Sequence, residues 1–512
     1  MSKTLRLILG DQLNIHHFWF APGPDPQAVY VLMEIRQETD YVHHHIQKIA
    51  AFFLAMRAFA QRLSQLGHQV HYIYLDAPDN TQSLVDNITK LMTENGYARF
   101  EYQYPDEYRL DKQLQTLTAS APFPCQGVDS EHFLTSREEL SLLMQGKKAY
   151  RMEHFYRHMR RKWDILMHHG RPVQGVWNLD KENRQALPED VSIPDPLVFD
   201  NPGQEVLDVL AKFRIPSLGI TQESTIPWPV TREQALEQMD FFVHSLLPWF
   251  GTYQDAMTRL STSLFHSRLS FALNTKMIHP LEIISSVVRK WENEPRKVAL
   301  NQVEGFVRQV LGWREFMRGM YWAYMPRMAK ENVLGHQGAL PDWYWTAETN
   351  MGCLRACILQ SLQTAYAHHI QRLMITGNFA LLAGVHPDAV DAWYLGIYVD
   401  AVQWVELPNT RGMSQFADGG RIASKPYVSS ARYINSLSDY CGQCMYDHKA
   451  RSGERACPFN SLYWHFFHRH RQRLEKLPRI GLIYRTLDKM EKGTKKEILD
   501  RGERVLMQVN EL

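Results

Sequence analysis

The chain contains few cysteines and no long hydrophobic run, and both absences narrow the class of protein. Only six of its 512 residues are cysteine, which is too few for a disulfide framework in a chain of this size. No apolar stretch approaches the ~20 residues that a membrane-spanning helix needs. The apolar run at residues 5–9 has the length of a β-strand and not of a signal peptide. We therefore expect a cytoplasmic protein with reduced thiols and no membrane partner.

A strong net charge and the common nucleotide-binding motifs are also missing. The formal net charge is only +2, so a nucleic-acid surface must come from local clusters of basic residues. Neither G-x-G-x-x-G nor a P-loop occurs, which argues against a standard dinucleotide or nucleoside triphosphate site. Two basic runs are candidates for phosphate contacts, although such runs usually form solvated helix faces. They are Arg151, Arg157, Arg160, Arg161 and Lys162, and then Arg469, Arg471 and Arg473.

Four of the cysteines are candidates for a metal centre. Cys441 and Cys444 form a C-x-x-C pair, Cys457 is followed by proline, and Cys353 lies well upstream. A zinc ribbon would usually offer a second close pair, which this chain lacks. One pair with two solitary cysteines and a Cys-Pro step is closer to iron–sulfur ligation. Spacing alone favours an iron–sulfur cluster and leaves structural zinc and thiols without metal as alternatives.

The first part of the chain alternates between strand-like and helix-like patterns. Buried strands are predicted at residues 5–9, 29–33, 70–75 and 99–103, and helices at 42–66 and 83–94. This alternation predicts a doubly wound parallel sheet. Ligands of such sheets lie beyond the carboxyl ends of the strands. The residues expected at that edge are Gly10, Asp11, Gln12, Glu34 and Glu38.

The pattern changes after about residue 135. Helical segments with proline-rich interruptions follow, and from about residue 220 only helix-period patterns and loops remain. We therefore expect an α/β fold joined to an all-α fold. The predicted parts are an α/β domain at residues 1–135, an interdomain segment at 136–220 and a large helical domain at 221–512.

Three motifs of the helical part resemble the cryptochrome/photolyase family. Residues 266–270, His-Ser-Arg-Leu-Ser, resemble its T-S-x-L-S phosphate-binding element. Residues 312–316, Gly-Trp-Arg-Glu-Phe, resemble its W-R-E-F helix. Residues 368–376 resemble the H-x-x-R-x-M-I-T segment that lies along the flavin in that family. The resemblance implies FAD as the cofactor.

Further motifs narrow the resemblance to the iron–sulfur bacterial branch, also called prokaryotic (6-4) photolyases. They are Leu-Gly-Asp-Gln-Leu at 9–13, the tyrosine–histidine run at 41–44, the segment 404–409 and the cysteine set. The resemblance covers essentially the whole chain. It implies an antenna domain that binds 6,7-dimethyl-8-ribityllumazine, and a helical FAD domain. It also implies a [4Fe–4S] cluster on Cys353, Cys441, Cys444 and Cys457.

The motifs supply candidate flavin-binding residues. Ser267 and Ser270 lie three apart at a predicted helix start, where hydroxyls and free amides can bind a diphosphate; ordinary N-capping is the alternative. Arg372 and Asp400 are expected to pair beside the flavin ring and tune it, unless they form a purely structural salt bridge. The motifs add Leu269, Trp313 and Glu406 to this set.

His369 is the candidate proton donor for the reaction that the resemblance implies. Histidine changes protonation near neutral pH, although a histidine on an apolar helix is more often a hydrogen-bonded core residue. Leu373 stands where eukaryotic members carry a second histidine, so the proton relay must differ. Glu406 falls opposite flavin N5, where most members have Asn or Asp. His368 and Tyr427 complete the catalytic candidates.

Other positions depart from the family or extend the site. His266 replaces the threonine of the phosphate motif, and Val310 stands where cyclobutane-dimer photolyases carry a glutamate. Val310 and Glu406 together argue against dimer repair. Trp393, Tyr394 and Trp345 are candidates for electron transfer between flavin and surface; aromatic core packing is the alternative for each.

The expected function is light-driven repair of (6-4) pyrimidine–pyrimidone lesions. The expected partner is UV-damaged DNA with the lesion flipped out of the duplex, and the expected enzyme is a monomer near the bacterial nucleoid. Two other classes remain open: a cryptochrome-like photoreceptor, and a light-independent iron–sulfur module that binds nucleic acid.

Overall fold

A five-stranded parallel sheet forms the first part of the computed structural model, which describes residues 3–147, 150–221 and 224–512. The strands are β1 (Thr4–Leu7), β2 (Ala28–Met33), β3 (Gln69–Ile73), β4 (Arg99–Gln103) and β5 (Cys125–Val128). Their order is β3-β2-β1-β4-β5, and all neighbours are parallel. The order reverses at β1, so the carboxyl ends of β1 and β4 flank the crevice where such sheets bind ligands.

Helices cover both faces of this sheet, as a doubly wound fold requires. Helix α1 (Ile46–Gln65) belongs to one hydrophobic cluster, together with Tyr30 and Leu32 of β2. Helices α2 (Leu84–Glu94) and α3 (Tyr108–Ser120) form the second cluster with the alternate residues of β1 and β2. Every residue of β2 is buried because the strand is covered on both faces.

The structure shortens one predicted helix and adds elements that the sequence did not predict, among them α3 and β5. The helix predicted at 42–66 begins at Ile46, because His44–His45 pairs in parallel with Ser217–Leu218. The ring of His45 then caps α1 by accepting the amide of Gln47. Strand β5 had no predicted counterpart in the sequence.

Helices dominate after β5, and no helix among the described residues is long and apolar enough to cross a membrane. The remaining strands pair as Met167–His168 with Arg171–Pro172 and Asn201–Pro202 with Thr225–Ile226. The further α-helices are Arg36–Thr39, Glu139–Met144, Met152–Trp163, Gln204–Lys212, Arg232–Phe241, Leu247–Phe250, Ser270–Asn274, Pro280–Asn293, Leu300–Val307, Glu315–Tyr324, Trp343–Thr346, Gly352–Thr364, His369–Gln371, Asn378–Ala383, Pro387–Ile397, Gln403–Leu407, Ala431–Leu437, Pro458–Arg469, Arg471–Leu474, Gly481–Lys489 and Lys492–Met507.

Several helices continue through π-helical turns. These turns are Phe242–Leu246, Arg308–Arg314, Arg372–Gly377 and Pro408–Ser414. The last two pack closely, because a Cβ atom at Gly377 would collide with the Ser414 hydroxyl. Short 3-10 turns lie at Val173–Gly175, Asp180–Glu182, Met328–Lys330, Tyr440–Gln443 and Val509–Glu511.

Candidate active site

A cavity of about 610 Å³ lies within the helical part of the chain. This volume is within the range of small-molecule and cofactor sites. Three π-helical turns supply part of its wall, and such turns are frequent at functional sites. The cavity brings together most of the site residues that the sequence predicts: Ser267, Ser270, Trp313, His368, His369, Arg372, Tyr394, Asp400, Glu406 and Tyr427.

Arg372 and Asp400 form the predicted ion pair in this cavity. A guanidinium nitrogen of Arg372 lies 3.0 Å from Asp400 Oδ1, and Arg372 Nε donates to the Ala367 carbonyl at 2.7 Å. Burial alone would lower the pKa of Arg372, but the attraction of Asp400 outweighs it and the pKa is raised. The guanidinium also lies over the Tyr398 ring, 3.7 Å from its centroid. The positive charge is therefore fixed in place.

The two serines line the cavity with hydroxyls that already have partners. Ser270 Oγ donates to Asp400 Oδ2 at 2.5 Å, and Ser267 Oγ accepts the Leu269 amide at 3.3 Å. The side chain of Leu269 lies in the hydrophobic core instead. Arg268, which the sequence did not single out, also lines the cavity.

His368 and His369 lie next to each other on the cavity wall. Desolvation inside the cavity, and then the charge of Arg372, lowers the pKa of His369 to about 4, although its side chain is exposed and not packed in the core. Burial and the neighbouring His266 and His369 lower the pKa of His368 as well. Neither ring nitrogen of His368 has a hydrogen-bond partner within the described part of the chain. Nitrogens buried without partners inside a cavity are sites that a ligand can satisfy.

His266 is a third histidine of this wall, and the sequence indicated it only as a departure from a motif. Its ring is parallel to that of His368, with centroids 4.5 Å apart and an interplanar angle of 11°. The Gln254 backbone hydrogen-bonds the His266 ring, while Nε2 lacks a partner among the described residues. A histidine at the first position of the serine motif was the available signal.

Glu406 is buried in the same cavity and is held by the turn that follows it. Thr410 Oγ1 donates to Glu406 Oε1 at 2.9 Å. Burial raises the pKa of Glu406, and Arg372 offsets this only in part. The carboxyl therefore protonates more readily than an exposed glutamate.

Charged side chains that the sequence did not predict also line the cavity, beside Tyr427 and Tyr433. Arg308 pairs with Asp180 at 2.8 Å, and Arg184 lies 3.6 Å from Asp255. Burial raises the pKa of Asp255 to about 6, with Arg184 acting in the opposite direction. These residues come from separate segments, so no local pattern indicated them.

A series of aromatic rings leads away from the cavity. The Tyr394 hydroxyl donates to the Arg372 carbonyl at 2.6 Å, and its ring lies 5.2 Å from that of Trp393. Trp393 in turn lies 5.2 Å from Tyr344, which stacks on Trp343 at 4.7 Å. Trp345 is 41% exposed at the protein surface.

The four predicted cysteines line one small apolar cavity with Tyr440, Tyr446 and Phe459. Within residues 3–147, 150–221 and 224–512, however, no group of three or more His, Cys, Asp or Glu side chains could hold a metal ion as arranged. Burial raises the pKa of Cys457 to about 12 and that of Cys441 to about 11. Four thiols around one cavity form the donor set that iron–sulfur ligation uses. The donor chemistry therefore fits a cluster.

A further cavity of about 150 Å³, the sheet-edge cavity, lies at the carboxyl ends of the sheet strands and is lined by Gly10, Asp11 and Glu38. Trp404 lines both this cavity and the larger one. Gln12 does not line this cavity. Its side chain accepts a hydrogen bond from the Leu9 amide at 3.0 Å and donates one to the Gln103 carbonyl at 3.2 Å, so it links the segment after β1 to β4.

Ion pairs surround the sheet-edge cavity. Lys276 bridges Asp11 at 3.1 Å and Asp106 at 2.8 Å, and Arg109 binds both carboxylate oxygens of Glu38. Lys48 Nζ donates to the Leu395 and Ala401 carbonyls at 2.6 and 2.7 Å. Burial lowers the pKa of Lys48 to about 8. The helical part of the chain thus contacts α1 directly, through the hydrogen bonds that Lys48 donates.

The two basic runs make contacts within the protein. Arg160 is buried and donates to the carbonyls of Ile165 and Trp177, while Lys162 pairs with Glu139 at 2.7 Å. In the second run, Arg471 pairs with Asp488. These side chains are occupied by internal partners, which weakens the interpretation of either run as a phosphate surface.

Comparison with known proteins identifies the family. A model of the family described as deoxyribodipyrimidine photo-lyase-related protein matches residues 6–225. A (6-4) photolyase of Agrobacterium fabrum (strain C58) is 40% identical over 498 residues, covering 97% of each chain.

Solved structures show the same fold. A bacterial class III photolyase from Agrobacterium tumefaciens superposes with a TM-score of 0.56 at 14% identity, over 86% of this chain and 85% of that one. A Synechocystis sp. PCC6803 cryptochrome also gives 0.56, at 12% identity, over 85% and 86%. The predicted fold class and family are confirmed. The chain belongs to the cryptochrome/photolyase family, in the branch of the bacterial (6-4) photolyases.

Proposed function

We propose that this protein is a DNA photolyase that uses light to reverse (6-4) pyrimidine–pyrimidone photoproducts. The carrying observation is the 40% identity to a (6-4) photolyase over 97% of both chains. The cavity supports it, since it gathers His369, Glu406 and the Arg372–Asp400 pair around one space. The substrate is UV-damaged DNA, with the lesion flipped out of the duplex so that it reaches this cavity.

FAD is the cofactor that the family binds, and the residues of the cavity fit it. The buried nitrogens of His266 and His368 that lack partners among the described residues are available to a polar ligand. We assign Ser267 and Ser270 to its phosphates, and Trp313, Arg372, Asp400 and Glu406 to its ring system. When bound, reduced and excited by light, FAD supplies one electron to the lesion and later recovers it.

The protein's own part in the reaction is to position the groups and to hold a proton. His369 carries that proton at a ring nitrogen, next to the lesion. Desolvation and the charge of Arg372 lower its pKa to about 4. An anionic group bound beside it would raise this pKa and favour the protonated ring. His368 supports His369, and Tyr427 contacts the lesion.

The aromatic series from Tyr394 through Trp393 suggests a route for reducing the flavin. Ring contacts at 4.7–5.2 Å are continuous from the cavity to Trp343, and we assign Trp345 as the exposed end. A photoreceptor would use the same route, so a cryptochrome-like signalling function is the second candidate. The cryptochrome superposition is consistent with it at the level of fold.

The cysteine cavity and the sheet-edge cavity are assigned to the other two cofactors. We propose a [4Fe–4S] cluster on Cys353, Cys441, Cys444 and Cys457, because their thiols line one cavity. We propose 6,7-dimethyl-8-ribityllumazine as antenna beside Gly10, Asp11 and Glu38, with Trp404 between antenna and flavin. Gln12 would support the antenna site through the backbone. The proposed parts are residues 1–135, 136–220 and 221–512, in a monomeric enzyme of the bacterial cytoplasm.

The test is repair itself. Purified protein with confirmed reduced FAD is illuminated with blue light on an oligonucleotide that contains one (6-4) lesion, and restored thymines are measured by chromatography. A dark sample and an oligonucleotide with a cyclobutane dimer serve as controls. Restoration only in the light and only of the (6-4) lesion supports the proposal. Absence of restoration with reduced FAD present favours the photoreceptor.

A further inference from the structure

One buried glutamine connects the histidine wall of the flavin cavity to the cysteine cavity. Gln371 lies between His369 and Arg372 and is 1% exposed. Its Oε1 accepts the backbone amide of His368 at 3.0 Å. Its Nε2 donates to the Tyr440 hydroxyl at 3.1 Å. A single side chain thus bridges the proton-donor segment and the tyrosine that precedes Cys441.

Tyr440 belongs to the cysteine centre. It is 1% exposed, lines the same cavity as the four cysteines and adjoins Cys441 in the chain. Its carbonyl accepts a hydrogen bond from Arg259 at 3.1 Å, and its hydroxyl lies 3.8 Å from Cys357 Sγ. The position of Tyr440 therefore depends on how the surrounding loop folds about the cysteines.

The helix Gly352–Thr364 completes the connection. It carries Cys353 at its start and Gln360 two turns further on. Gln360 and Gln371 exchange hydrogen bonds of 3.0 and 3.2 Å, and Gln360 also donates to the Tyr366 carbonyl at 3.1 Å. The two hydrogen-bonded routes, one through Tyr440 and one through Gln360, thus both reach the segment that ends at His368.

That segment needs such support because it is not helical. Ala365 has a positive φ of 52°, and residues 366–368 lie between two helices. The side chain of Gln371 is therefore an anchor for the amide of His368, beside the Arg372 bond to the Ala367 carbonyl. A buried amide that loses its acceptor must find another, and the loop would shift to do so.

We propose that Gln371 and Tyr440 are positioning residues that transmit the order of the cysteine centre to the His368–His369 segment. This rests on the proposed repair function for its effect on rate, but the link itself is a property of the folded protein. The cysteine centre then places the proton donor, in addition to stabilising the fold.

The test compares Tyr440→Phe and Gln371→Met with Tyr484→Phe in the full-length protein as purified. Tyr484 is the matched control, since its buried hydroxyl has no hydrogen-bond partner among the residues described. The first readout is amide hydrogen exchange, by mass spectrometry, of peptides covering residues 365–372. We expect about three- to tenfold faster exchange there in both link variants, and wild-type exchange in Tyr484→Phe. Wild-type exchange in Gln371→Met overturns the proposal.

The second readout separates positioning from stability. Iron content, FAD content and thermal midpoint are measured beside the pH profile of repair. We expect Gln371→Met to keep iron and FAD while its repair rate falls about three- to tenfold and its pH profile shifts. If Tyr440→Phe loses iron, Gln371→Met decides, because Gln371 is not among the residues that line the cysteine cavity. The repair rate of the double variant should be no lower than that of the slower single variant. Additive losses of rate would contradict a shared link.

A failure of the proposed function is distinguishable from a failure of the link. Faster exchange at 365–372 with no repair by the wild-type protein would retain the link and reject the photolyase. Repair by the wild type with unaltered exchange in both variants would retain the photolyase and reject the link.

Discussion

The rings of His266 and His368 stack in parallel, 4.5 Å apart, against the wall of the larger cavity. Two imidazolium ions at that distance would repel each other, and burial disfavours charge on either ring. Both rings are therefore neutral at pH 7.

Lowering the pH should therefore destabilise the FAD-free protein. Burial lowers the pKa of His266 from 6.5 to about 4, so the unfolded chain binds more protons than the folded chain between these values. As the pH is lowered through that window, the free energy of unfolding should fall. Between pH 7 and pH 5 this histidine should account for a loss of roughly 2 kcal/mol. Denaturant unfolding at pH 7 and pH 5 measures it.

The variant His266→Phe should keep a stacked ring and remove that dependence. We expect its stability loss between pH 7 and 5 to be smaller than that of the wild type by roughly 2 kcal/mol. The exposed His154 provides the control, and His154→Phe should leave the loss unchanged. An equal loss in His266→Phe and wild type would show that His266 is not buried neutral.

Much of this site follows from the sequence, and the rest depends on long-range packing. Strand and helix periodicity predicted β1 to β4 and α2, because half-buried elements carry their period locally. Strand β5 was missed because Cys-Gln-Gly-Val is short and contains glycine. Motifs supplied Arg372 and Asp400. Asp180 and Arg308, 128 positions apart, meet only through the fold.

Gln12 illustrates a limit of reasoning from position. Its place after β1 predicts a position beyond the carboxyl end of that strand, among the candidate ligand-binding residues. The structure turns its amide toward Gln103, where it joins two strands. A polar residue at a strand end serves backbone or ligand equally well, and only the packing decides which.

Asp400→Asn should destabilise the protein and reduce flavin retention. It removes the partner of a buried guanidinium, which costs about 3–5 kcal/mol. Chemical denaturation and the FAD-to-protein absorbance ratio measure the two effects. Glu153→Gln removes the carboxylate of the surface pair with Arg157 and should cost at most about 0.5 kcal/mol. Equal losses in the two variants would contradict a special role for the buried pair.

Cys441→Ser should abolish iron and acid-labile sulfide in anaerobically purified protein. Metal–thiolate bonds would join Cys353 to the distant C-terminal segment, so solubility should fall as well. Cys125→Ser is the control, because Cys125 lies in β5 and not at the cysteine cavity. Stoichiometric zinc without iron in the wild type would replace the cluster by a structural zinc site.

Trp393→Phe should slow photoreduction of oxidised FAD in the presence of an external reductant. Phenylalanine keeps the packing between Tyr394 and Tyr344 but carries a radical poorly. Absorbance at flavin wavelengths during illumination measures the rate. Trp249→Phe, at an exposed tryptophan outside the cavity lining, should reduce at the wild-type rate. Wild-type kinetics in Trp393→Phe would exclude this ring from the route.

His369→Ala should keep FAD and most DNA binding but lose (6-4) repair. Positioned proton transfer is worth about 10²–10⁴ in rate, so the loss should be severe. Repair is measured with reduced FAD under saturating light, and binding by fluorescence anisotropy with the same oligonucleotide. His154→Ala controls for removal of a surface histidine and should repair normally. Because the proposed donor must carry a proton, the wild-type rate should also fall as the pH rises and the bound complex loses that proton. Residual repair in His369→Ala at the wild-type rate would assign the proton to another group of the cavity, with Glu406, whose pKa is raised by burial, as the next to be tested.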